Sequence, residues 1–85
     1  MGYYVYIAQA ITGRYYTGIS ADPHRRLKEH NTGEGSKMAR DTGEFTLRYI
    51  SEVFETKSSA YIREQQIKGW SRWKKEKLIK QMKKR

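Results

Sequence analysis

Residues 3 to 20 constrain this chain more than any other stretch. Tyr3 to Gln9 and Tyr15 to Ser20 are two runs rich in aromatic and β-branched residues, the composition of strands. Between them Ala10-Ile11-Thr12-Gly13 carries a turn signal, so the pair predicts a hairpin. Parity then sorts the side chains. Tyr3, Val5, Ile7 and Tyr15, Thr17, Ile19 are odd-numbered and form the more apolar set. Tyr4, Tyr6, Ala8 and Tyr16, Gly18, Ser20 are even-numbered. Strand side chains alternate, so a loop with an odd residue count, such as three, puts the even sets on one face. Tyr6 and Tyr16 then share a face, opposite an apolar core face.

Asp22-Pro23 follows at once and predicts a helix start, with Asp as N-cap and Pro at the first helical position. The helix should run to about Asn31 and stop near Gly33. Arg26 and His30, four apart, lie on one side of it, and Leu27 faces the core. Thr32 to Gly43, with its glycines and mixed charges, reads as a loop. Thr46 to Phe54 predicts a third strand, with Leu47, Tyr49 and Val53 on one face against Arg48, Ile50 and Glu52. Helix signals resume at Ser58 or Ser59 and continue to Lys68, where Gly69 marks a break. Ser71 is a plausible N-cap for a last helix, in which Leu78, Ile79 and Met82 form a thin apolar stripe. The order is β-β-α-β-α-α. This predicts one α/β domain of the α+β type over residues 1–85, a three-stranded antiparallel sheet with flanking helices. Residues 72–85 form its lysine-rich C-terminal helix.

The length of 85 residues allows one domain with a modest core, and the absence of cysteine excludes disulfides and a cysteine-based zinc site. No run of about eighteen apolar residues is present, which excludes a helical membrane span. Met1-Gly2-Tyr3 leads straight into a strand-like run with no signal-peptide pattern, so a cytoplasmic protein is expected, and a monomer is expected alongside. The net charge of +9 is unevenly placed. Residues 72–85 hold eight basic residues and one acid, hence +7, against +2 for residues 1–71. A basic block of this kind suits a polyanion, with nucleic-acid phosphates the first candidate.

Phenols, a guanidinium, an imidazole and one carboxylate are the parts needed to cut a phosphodiester. Here they recur along the chain as Tyr6, Tyr16, Arg26, His30 and Glu64. Their order and spacing resemble the GIY-YIG nuclease domain. Its first motif stands as Tyr4-Val5-Tyr6 and its second as Tyr16-Thr17-Gly18. The family's helix arginine matches Arg26, the histidine-or-tyrosine one turn later matches His30, and the glutamate of a later helix matches Glu64. The chain looks closest to the small stand-alone members, through Gly33-Glu34-Gly35-Ser36-Lys37 and Trp70-Ser71-Arg72-Trp73-Lys74-Lys75. It departs from the longer nucleases at two places. Tyr4 stands where the first motif opens with glycine, and Glu76 lies where a late asparagine would be sought.

The resemblance implies metal-dependent endonucleolytic hydrolysis, with DNA favoured over RNA and structure over sequence. A role in DNA repair would fit. Glu64 can hold one Mg²⁺ or Mn²⁺ whose shell is completed by waters and phosphate oxygens, chiefly with substrate present. Arg26 can bridge two phosphoryl oxygens and stabilise the charge that develops there. The resemblance implies that a motif tyrosine activates or orients the water. Tyr6 and Tyr16 are both candidates, and His30 can take the proton onward. Lys37 and Arg40 in the glycine loop, and Arg72, Lys74, Lys75 and Lys77 in the last helix, are candidates for backbone phosphate contacts. Taken singly, each feature has an ordinary structural reading. Strand tyrosines usually pack, Glu64 can simply pair with Lys68, and Trp70 and Trp73 read as packing anchors rather than stacking platforms. The alternatives are a non-catalytic nucleic-acid-binding module and an interaction subunit of a larger nuclease assembly.

Overall fold

A computed structural model of the chain describes residues 2–32 and 44–83. The elements are β1 (Tyr4–Ala10), β2 (Tyr15–Ser20), α1 (Pro23–Asn31), β3 (Phe45–Ile50), α2 (Lys57–Lys68) and α3 (Arg72–Lys83). The three strands form one antiparallel sheet in the order β2-β1-β3, so β2 is an edge and β1 is central. This is the β-β-α-β-α-α arrangement expected from the sequence.

The hairpin closes over three residues. Gly13 N–H donates to Ala10 C=O at 2.8 Å, and Ala10 N–H donates to Arg14 C=O at 2.8 Å. Gly13 sits at φ +94°, the position of such a loop that favours glycine. The odd loop sets the register: Tyr6 opposes Gly18 and Ala8 opposes Tyr16. Tyr6 and Tyr16 therefore lie on one face, as parity required.

Both faces of the sheet are covered, which parity alone did not show. The odd face carries the main core. Val5 and Ile7 meet Ala60 and Ile67 of α2 and Ile79 of α3, all five buried. The even face carries a second core, in which Ala8 and Ala10 meet Leu27 of α1 and Phe45, with Tyr6, Tyr16 and Leu47 packed around them. The face holding the two tyrosines thus has an apolar cluster of its own, roofed by α1.

The third strand departs from simple alternation. Ile7 pairs with Tyr49 but Ala8 pairs with Leu47, so the register shifts at Arg48. One extra residue on β3 reverses the facing of everything beyond it. Leu47 and Tyr49, placed together by alternation, therefore pack in opposite cores. The strand also ends at Ile50 rather than Phe54. Beyond it Ser51 N–H donates to Val5 C=O at 2.8 Å and a Tyr3–Phe54 bridge continues the pairing, while Val53 is largely exposed.

The helix starts follow the capping chemistry. The Asp22 carboxylate accepts from Arg25 N–H at 3.2 Å, with Pro23 at the first position. The Thr56 hydroxyl caps α2 by accepting from Ser59 N–H at 3.1 Å. The Ser71 hydroxyl accepts from Lys74 N–H at 3.3 Å at the start of α3. Asn31 ends α1 and is tied to β3. Its amide donates to Phe45 C=O at 2.9 Å and accepts from Phe45 N–H at 2.8 Å.

Candidate active site

Tyr6 and Glu64 start on opposite sides of the sheet. Tyr6 is on the even face of β1, and Glu64 belongs to α2, which packs on the odd face. They meet at the free edge of β2. Gly18, directly opposite Tyr6, has no side chain, so the phenol lies across it. A Cβ at Gly18 would stand 2.7 Å from the Tyr6 hydroxyl and 2.8 Å from Cζ. Helix α2 runs beside β2 on the other face and brings Glu64 to the same edge. The result is an open cavity of about 670 Å³ whose lining includes Tyr6, Gly18, Arg25, Arg26, Lys57 and Glu64.

Glu64 occupies an unusual place for a carboxylate. Ala60, Glu64 and Ile67 form the buried stripe of α2, and Glu64 is only 7% exposed. A charge taken from water there needs partners. Those present are modest. Lys68 Nζ is 4.0 Å from one carboxylate oxygen, and the Gln65 amide donates to the other at 3.1 Å. The pairing with Lys68 is thus real but long, and by itself a weak reason to bury an acid. An underpaired carboxylate opening on a cavity suits a divalent cation whose remaining ligands are water and phosphate. Among the described residues no cluster of three acidic, histidine or cysteine side chains offers a fuller cage.

Arg26 is exposed on α1 and lines the same cavity, where its guanidinium can meet an anion. Burial pushes the Tyr6 phenol above its ordinary value. Arg26 opposes that shift, and the Glu64 charge adds to it. Tyr6 is therefore a neutral hydrogen-bond donor at neutral pH. Burial thus outweighs the downward pull of the guanidinium.

Tyr16 and His30 are placed differently. They border a second cavity of about 440 Å³, which Tyr6 and Arg26 also line. Both rings stack on Phe45, with centroids 4.9 Å away for Tyr16 and 4.2 Å for His30. The five residues thus occupy two adjoining chambers that share Tyr6 and Arg26. Glu64 borders the first chamber, and Tyr16 and His30 border the second.

The basic candidates also divide. Lys37 and Arg40 lie outside the described residues. Lys75, with Lys68, lines the second cavity. Arg72 has a structural occupation. It donates to Gly13 C=O at 2.8 Å, lies 4.5 Å over the Tyr15 ring and pairs with Glu76 at 3.5 Å. Glu76 also accepts from the Tyr15 hydroxyl at 3.3 Å. Lys74 lies 4.3 Å over Trp70 and Lys77 lies 5.5 Å over Trp73. Trp70 packs against the main core as a packing anchor should, but Trp73 is 69% exposed and anchors nothing there. Sequence reasoning missed Phe45 and Lys57 as site residues. Phe45 looked like the residue before a strand, and no local pattern marks Lys57.

Known sequences and solved structures resemble this chain. The GIY-YIG catalytic domain profile matches residues 2–78. A UPF0213 protein of Halobacterium salinarum is 45% identical over 77 residues, covering 91% of this chain and 99% of that protein. A UPF0213 protein of Staphylococcus saprophyticus is 43% identical over 91% of this chain and 93% of its own length. Among solved structures, the UPF0213 protein BH0048 of Bacillus halodurans is 40% identical with a TM-score of 0.58, over 94% of this chain and 84% of that one. The E. faecalis protein EF2693 is 32% identical with a TM-score of 0.64, over all of this chain and 90% of that one.

Proposed function

The chain belongs to the GIY-YIG catalytic domain family, and on that premise we propose that it hydrolyses phosphodiester bonds in nucleic acid with the help of Mg²⁺ or Mn²⁺. DNA is the favoured substrate, chosen by structure rather than sequence. A place in DNA repair fits such a selectivity. The observation that carries this reading is the shared cavity at the β2 edge, where Tyr6, Arg26 and the buried Glu64 come together.

Arg26 holds the scissile phosphate through its planar fork and stabilises the charge gained in the transition state. Glu64 would hold the divalent ion, which when bound supplies Lewis-acid stabilisation of the phosphate oxygens. Tyr6, kept neutral by burial, donates a hydrogen bond that orients the attacking water or a phosphoryl oxygen. The water's proton then passes to His30, directly or through the Tyr16 hydroxyl, which gives up its own proton as it accepts one; both residues border the adjoining chamber. The lysines of α3 hold flanking backbone without reading bases.

The test uses purified protein with flapped, branched and single-stranded DNA in Mg²⁺ or Mn²⁺. Wild-type protein should cut, and Glu64→Ala should cut on the order of 100-fold more slowly or less. Equal cutting by the variant would remove Glu64 from the mechanism. A non-catalytic binding module on the same scaffold is the second reading. It is favoured by Glu76, which stands in place of a late asparagine and is engaged by Arg72 and Tyr15. That reading gains if neither form cuts while binding weakens steeply with salt.

A further inference from the structure

We infer that the second cavity is a subsite for one unpaired nucleobase, the base of a nucleotide flanking the phosphate held at Arg26. The inference rests on the proposed function, because Arg26 and Tyr6 line both chambers and join them. A nucleotide whose phosphate sits on Arg26 has its own base within reach of the neighbouring chamber.

The chemistry of the lining selects this occupant. The rings of Tyr16, His30 and Phe45 form a continuous stacked group with nearly parallel planes, 25° for Tyr16 on Phe45 and 11° for His30 on Phe45. Flat aromatic surfaces of this kind stack any base through its π-face. Ala8 and Leu27 add apolar contact, which a bare phosphate or a hydrated metal ion would not use. Arg26, Lys68 and Lys75 supply positive charge around an otherwise apolar space, matching a ligand that is flat and apolar but carries phosphates. At about 440 Å³ the space falls within the roughly 300–1,000 Å³ of small-ligand sites.

One further group points to a ligand with a polar edge. His30 Nε2 is shielded from solvent and makes no hydrogen bond among the described residues, and His30 lines this cavity. Buried polar atoms without partners are uncommon, and a base edge would supply one.

A base inside a duplex is stacked and paired and does not enter such a space, whereas a frayed, flapped or single-stranded one does. The subsite therefore makes the protein selective for cutting beside an unpaired nucleotide.

The test compares two small probes by nuclear magnetic resonance, thymidine 3′,5′-bisphosphate and the base-free deoxyribose 3′,5′-bisphosphate, on the wild-type chain without metal. Neither contains a diester, so no cleavage intervenes. The thymidine compound should bind about 10-fold more tightly or better, with ring-current shifts at Tyr16, His30 and Phe45. Tyr16→Leu, which keeps the bulk but removes the ring face, should weaken the thymidine compound several-fold and leave the base-free one unchanged. Equal affinity of the two probes, with shifts confined to Arg25 and Arg26, overturns the subsite while the cleavage experiment still decides the nuclease reading. Failure of both probes to bind overturns it as well.

Discussion

Gly18 and Tyr6 face each other across the β1–β2 pair, and the phenol occupies the volume that any side chain at residue 18 would need. The third residue of the second motif is thus glycine for a steric reason. It lets a tyrosine on the central strand reach past the edge strand to the cavity shared with Glu64.

Gly18→Ala tests that relation. The added methyl forces the Tyr6 ring to move, because contacts of 2.7 to 3.1 Å with Oη, Cζ and Cε2 are too short to persist. Cleavage should fall by on the order of 10-fold or more, while the circular dichroism spectrum stays native and stability drops by about 1–2 kcal/mol. Wild-type cleavage by the variant would mean that the Tyr6 position is immaterial.

The Tyr6 phenol also sets an alkaline stability limb. Its folded value is raised, so the unfolded chain releases this proton first, near the ordinary value of about 10. The stability linked to Tyr6 is complete below that point and is lost as pH climbs through the raised folded value. Tyr6→Phe removes this contribution. Denaturant midpoints at about pH 8 and about pH 11 should differ less in the variant than in wild type. An unchanged difference would show that Tyr6 is not buried as a neutral phenol.

Arg72 should behave as a structural clamp first. Arg72→Ala removes a bond to the Gly13 carbonyl, a ring contact with Tyr15 and the Glu76 pair. The expected loss is about 1–2 kcal/mol, seen as a fall in Tm of about 4–8 °C per kcal/mol. Combined with Glu76→Ala the effects should be non-additive, because the two residues share Tyr15. Strict additivity would dissolve the clamp.

Asn31 acts as a strand mimic at the end of α1. Asn31→Ala strands the Phe45 N–H and C=O and should cost about 1–3 kcal/mol. Phe45 carries the Tyr16 and His30 rings, so their side-chain resonances should broaden in the variant. Asn31→Asp keeps the acceptor but loses the donor, and should fall between the two. Sharp, unshifted ring signals in Asn31→Ala would argue that Phe45 is held by its packing alone.

Elements with purely local causes could be read from the sequence. Asp22 and Ser71 accept from N–H groups three residues on, so these two caps are visible in their short motifs, whereas the helix expected from Ser58 or Ser59 begins at Lys57 under a Thr56 cap. The hairpin register follows from a three-residue loop and strand alternation, and both are counted along the chain. The order of the motifs likewise named the residues of the candidate site.

Tertiary structure alone decided the rest. The bulge at Arg48 sent Leu47 and Tyr49 to opposite cores, and no local signal announces one extra residue in a strand. The rise of the Tyr6 phenol depends on how much protein surrounds it, which spacing does not report. The division into two chambers arises because α1 and α2 approach the β2 edge from opposite faces. Where two elements distant in sequence meet is fixed by how their apolar sides pack on a shared sheet, and only the folded chain expresses that.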